Sequence, residues 1–148
     1  RILATKIISG ICAQLLLVIV TFSTLVIGIR FVDISLSTLK ILAASFSCAM
    51  LGIMFHGVAT LFGSVFGKKP IALGGTIALA IAGFLFYSLA PLVHTFDRVL
   101  GINPFQWALG SNALKSGLDL GYMFLSFSTV LVIYGASLLT LRARDISA

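Results

Sequence analysis

Charge is what this chain has least of. Only 9% of its 148 residues are Asp, Glu, Lys or Arg, and four of them are acidic, while 59% are apolar. A soluble domain is about half apolar and about a quarter charged, so there are too few charges here to cover a water-facing surface. Cysteine is equally sparse: Cys12 and Cys48 both fall inside apolar blocks, where a small thiol is a packing residue and not half of a disulfide framework. The sequence has no G-x-x-x-x-G-K-[ST] loop to cradle a nucleotide and no H-E-x-x-H for a catalytic zinc. Its two histidines and two cysteines match no metal-ligand spacing, and no apolar block contains a carboxylate. ATP hydrolysis by this chain, a metal site and proteolysis by paired aspartates are therefore not expected. The net charge of +6 does not imply nucleic acid either, because the basic residues lie in short clusters between apolar blocks and no basic face carries stacking aromatics.

Long apolar runs are abundant, and about 20 residues of helix cross about 30 Å of hydrocarbon. The first run, about 7–29, holds 14 Leu, Ile, Val or Phe residues. At roughly −0.3 to −0.6 kcal/mol each they favour insertion by about 4 to 8 kcal/mol. That outweighs Gln14 and the hydroxyls of Ser9, Thr21, Ser23 and Thr24, which can bond back to helix carbonyls or to a neighbouring helix. A second run, about 41–66, is less greasy and carries Ala44, Cys48, Gly52, His56, Thr60 and Ser64 at every fourth position, a slowly drifting stripe of small and polar residues suited to close helix packing. The third, about 71–93, follows Lys68, Lys69 and Pro70, where proline suits a first helical turn. The fourth, about 121–141, ends in Arg142, Ala143, Arg144 and Asp145. The expected fold is an all-α polytopic bundle of four spans in a single transmembrane unit over 1–148. No cleavable signal peptide is visible, and a start at Arg1 fits a piece of a longer protein.

Loop charges orient the spans. Arg1, Lys6, Lys68, Lys69, Arg142 and Arg144 against Asp145 give +5 on one side; Arg30, Lys40, Arg98 and Lys115 against Asp33, Asp97 and Asp119 give +1 on the other. The positive-inside rule puts both ends in the cytoplasm. The outer connection from about 94 to 120 is apolar yet interrupted by Gly101, Pro104, Gly110 and Gly117. Asn103 with Pro104 is a helix-start signal, and Trp107 suits a membrane interface, so one or two short helices are expected to lie on or dip into the outer leaflet. Asp97 and Arg98 are solvated charges there or line an exit route.

His56 is the one ionisable residue deep in a span, which makes it a functional-site hypothesis by default. A neutral imidazole bonded to a neighbouring helix is the plainer reading. A proton relay or metal site would need company, and no span shows an acid or a second ligand; an intramembrane enzyme would have His56 as its reactive group, with a serine beside it left open.

The segment Asn103-Pro104-Phe105-Gln106-Trp107-Ala108-Leu109-Gly110, followed by Leu114-Lys115-Ser116-Gly117-Leu118-Asp119, a last span and Arg142-Ala143-Arg144-Asp145-Ile146, resembles the C-terminal portion of an ABC-2 type transporter permease. The tail departs from that pattern in having Arg-Ala-Arg where a doubled Arg is commoner. The resemblance spans the chain in order. It implies the membrane subunit of an ABC exporter that lacks its first two spans here, paired with a second permease copy or half in the cytoplasmic membrane of a prokaryote. Membrane lipid would surround it, and a separate ATP-binding subunit would carry ATP and Mg; no cofactor is expected in this chain. The outer element of Asn103, Pro104, Phe105, Trp107, Gly110, Gly117 and Asp119 would then lie at the exit region. The alternative is a non-transporting assembly or anchor protein.

Overall fold

The computed structural model describes residues 2–32, 37–93, 100–110 and 113–146. Asp33, Asp97 and Arg98 lie outside them. The described residues include six α-helices in order, α1 (Ile2–Val32), α2 (Thr38–Phe66), α3 (Lys69–Leu89), α4 (Pro104–Leu109), α5 (Ala113–Ser116) and α6 (Leu120–Ile146), and contain no strand. Four segments are long and apolar enough to cross a bilayer: Ile7–Phe31, Thr38–Phe66, Lys69–Leu92 and Leu120–Leu141. The chain is thus an all-α, multi-pass membrane bundle, and the described residues between its third and fourth spans include two short helices.

Helix ends follow local chemistry. Gly67 closes α2 in the left-handed region at φ 65 and donates its N–H to the Gly63 carbonyl, and Pro70 sits in the first turn of α3. This short turn makes α2 and α3 antiparallel neighbours. Pro91 ends α3 in a single 3₁₀ turn over Ala90–Leu92. Helix α6 outruns the apolar block, continuing through Arg142 and Arg144 to Ile146, because good helix formers with positive charge at a C-terminus extend a helix. Ser23 and Thr24 return their hydroxyls to the carbonyls of Ile19 and Val20 at 2.8 Å, so these polar groups stay satisfied inside α1.

Helix α2 is the centre and packs against each of the other five. It buries 39% of its most apolar stretch, whereas the corresponding stretch of α1 buries none. Small residues make this possible: Ala43, Ser45, Ala49, Gly57 and Ser64 are all buried, and each lets a neighbouring backbone approach. Helices α1 and α3 instead turn most of their aliphatic side chains outward.

Candidate functional site: a polar seam and a re-entrant element

The polar seam joins α1, α2 and α6. His56 Nδ1 and the Tyr134 hydroxyl are 2.6 Å apart, and that hydroxyl also lies 3.5 Å from the Ile53 carbonyl. A phenol has one proton, so two arrangements satisfy the pair. Either Tyr134 donates to a bare Nδ1, or Nδ1–H donates to Tyr134 while the hydroxyl turns to Ile53. The opposite edge of the imidazole rests on Gly10 of α1, where an added Cβ would overlap the ring. His56 is therefore gripped between two helices.

The other stripe residues diverge around α2. Gly52 receives the side-chain amide of Gln14 from α1. Thr60 donates to the His56 carbonyl at 2.8 Å. Ser64 is buried and meets Thr140 of α6 at 2.7 Å. Ala44 is half-buried, and Cys48 is exposed. The stripe thus turns from α1 at Gly52 to α6 at Ser64, with His56 touching both. Among the described residues, the side-chain partner of His56 is a phenol, Ser137 is turned to the Ile133 carbonyl, and no three metal-binding side chains group together.

The second feature is the connection between α3 and α6. Asn103 is buried and does two jobs: its side-chain oxygen accepts from the Phe105 N–H at 3.0 Å, capping α4, and its amide nitrogen donates to the Gly83 carbonyl at 2.8 Å. Gly83 lies six residues before the end of α3 at Leu89, which is about 9 Å along the axis. The chain has therefore turned back into the bundle before α4 begins. Phe105 continues inward, with its ring 5.5 Å from Phe55 of α2 and 5.7 Å from Phe84 of α3. It fits because Gly83 has no side chain; an added Cβ would stand 3.3 Å from the ring. Phe55 is eleven residues from the α2 end at Phe66, about 16 Å along a helix of about 43 Å, so α4 points its first turn at the middle of the bundle. Helix α4 is thus packed against α2, α3 and α6.

A half-open cavity of about 380 Å³ lies beside this turn, lined by Phe55, Leu79, Phe86, Ile102 and Pro104 with the backbone of Gly83. Among the described residues no ionisable side chain lines it, and Asn103 is the polar side chain at its edge. Such a lining suits an apolar group. Trp107 satisfies its indole N–H internally, on the Gly101 carbonyl at 2.9 Å. Gly110 ends α4 with φ −68, an ordinary helical value, while Gly117 adopts φ 85, which a side chain would strain. Asp119 caps α6, accepting from Gly121 and Tyr122 N–H at 2.9 and 3.3 Å. Gln14 reaches a neighbouring helix as the sequence allowed, whereas Gly10, Gly83 and Tyr134 do not stand out as partners in the sequence. Tyr134 carried the clearest sign, a phenol in the middle of an apolar span where its hydroxyl needs a bond.

Comparison with family models, with curated proteins and with solved structures found no match. The likeness to exporter permeases stands on the residues quoted for it.

Proposed function

We propose that this chain is the C-terminal portion of the permease subunit of an ATP-driven ABC exporter, in a prokaryotic cytoplasmic membrane with its described ends inside. The observation that carries the reading is the packing of α4 against α2 and α3, which we read as a re-entrant element. Irregular backbone at membrane depth is tolerated where it is shielded by protein or lines a cavity, and here it does both, between α2 and α3 and against an apolar space. An element used only to hold an assembly together has no need of such a device. Energy would come from a separate ATP-binding subunit docked on the opposite face, with a second permease copy or half completing the path.

The intact protein is expected to co-purify with an ATP-binding subunit. Trp107→Ala, which releases α4 from Gly101, is expected to lower export while that association persists, because the docking surface lies across the membrane. Two results would go against the proposal: no ATP-binding partner under conditions that keep the protein folded, as for a non-transporting anchor, or loss of the partner with Trp107→Ala at normal expression.

A further inference from the structure

A groove of about 500 Å³ opens at the α2 N-terminal end of the bundle, between the start of α2 and the segment leading into α6. This volume is within the range of small-molecule sites, roughly 300–1,000 Å³. Its chemistry is graded along its length. Ser37 and Lys40 lie at the head of α2, Leu42 and Phe46 follow further along, and Leu118 and Met123 form the facing wall. From Ser37 to Phe46 is nine residues, about 14 Å of helix. Helix α2 has 29 residues and is about 43 Å long, more than the roughly 30 Å of hydrocarbon, so its first turn stands at headgroup level and the apolar part of the groove lies at acyl level.

Among the described residues that line the groove, Lys40 is the charged one. It sits in the first turn of α2, where the helix dipole disfavours a cation. Asp119, next to the groove's Leu118, directs its carboxylate oxygen to the amides of Gly121 and Tyr122. Leu39 and Leu42 are 74% and 48% exposed, so the groove's flank faces the bilayer. A half-buried cation above an open apolar trough complements an anion that carries a hydrocarbon chain. We propose that this groove holds a membrane phospholipid, with its phosphate on Lys40 and one acyl chain along Leu42, Phe46 and Met123. The proposal stands apart from the exporter reading, because it requires neither nucleotide nor cargo.

The neighbouring pocket, which shares Phe46, Leu118 and Met123, is lined by Trp107, the single tryptophan of this sequence. Trp107 can therefore report on the groove. The intact protein would be placed in phosphatidylcholine vesicles containing brominated phosphatidylglycerol, brominated phosphatidylcholine or brominated diacylglycerol, and bromine quenching of Trp107 measured, with Trp107→Phe protein subtracting any other tryptophan. Quenching is expected to be greatest for phosphatidylglycerol and least for diacylglycerol, with roughly a several-fold preference that weakens at high salt as charge is screened. Lys40→Gln should bring all three quenchers to the diacylglycerol level, and Lys40→Arg should restore the order. Equal quenching by all three in the native protein would reduce the groove to bulk-lipid contact. No quenching would mean that something other than lipid covers it. A lipid order unchanged by Lys40→Gln would remove Lys40 from the site; each of these three results overturns the proposal.

Discussion

At Tyr134 a hydroxyl sits fourteen residues into α6, where lipid offers no partner, and the structure supplies His56 from α2 at 2.6 Å. Hydrogen bonds between membrane helices average about 0.6 kcal/mol and reach about 1.7, because the separated helices also find partners. A double-mutant cycle with His56→Ala and Tyr134→Phe, read by reversible unfolding in mixed micelles, is expected to give a coupling in that range. Additivity within about 0.3 kcal/mol would mean that the pair does not join the helices. The sequence marked His56 as unusual, since an ionisable group among apolar neighbours is visible in one dimension. Its partner was not legible. No span contains an acid, and a phenol 78 positions away signals contact only once α6 is known to lie beside α2.

Among elements, α1 and α4 are held by different means. Helix α1 meets α2 through two notches, Gly10 against His56 and Gly52 against Gln14. Gly52→Leu drives four carbons into the space of the Gln14 amide, whereas Phe62→Leu removes a ring that edges Phe66 at 6.0 Å and can be replaced by another apolar group. Overpacking of this kind costs about 1–3 kcal/mol and volume-conserving apolar swaps less than about 1.5. Gly52→Leu is therefore expected to lower stability and assembly more than Phe62→Leu; equal tolerance in a thermal-shift assay would contradict the notch. Helix α4 hangs on Asn103. Asn103→Asp retains an acceptor for Phe105 N–H but loses the donor to Gly83, while Asn103→Ala loses both. With a cap worth about 0.5–2 kcal/mol, hydrogen exchange over 105–109 should rise for Asp and rise further for Ala. Identical exchange in the two variants would deny the capping role. The spans were legible because about 20 successive apolar residues leave little choice, and Asn-Pro marked the start of α4. Its depth was not legible, because nothing local to Asn103 names Gly83 as the acceptor.

For the whole molecule, one helix organises the rest: α2 packs on each of the other five described helices, while α1 and α3 keep broad apolar faces toward their surroundings. Composition foretold the bilayer. The central position of α2 was written more faintly, in its small residues and lower greasiness, which say that helices come close without saying which. The exporter reading requires the outer element to respond to nucleotide bound on the opposite side of the membrane. Ile102 is 76% exposed and lines the cavity beside α4, so a cysteine there reports on that element. With Cys12→Ala and Cys48→Ala, the intact protein and its ATP-binding partner would be reconstituted in vesicles, and Ile102→Cys labelled with a membrane-impermeant thiol reagent. The reagent would be applied to the face opposite the Lys68–Lys69 turn. Labelling from that face, at a rate that changes several-fold when Mg and ATP are supplied on the other, is the expected result. Labelling only from the Lys68–Lys69 side, or at one rate with and without nucleotide, would contradict it.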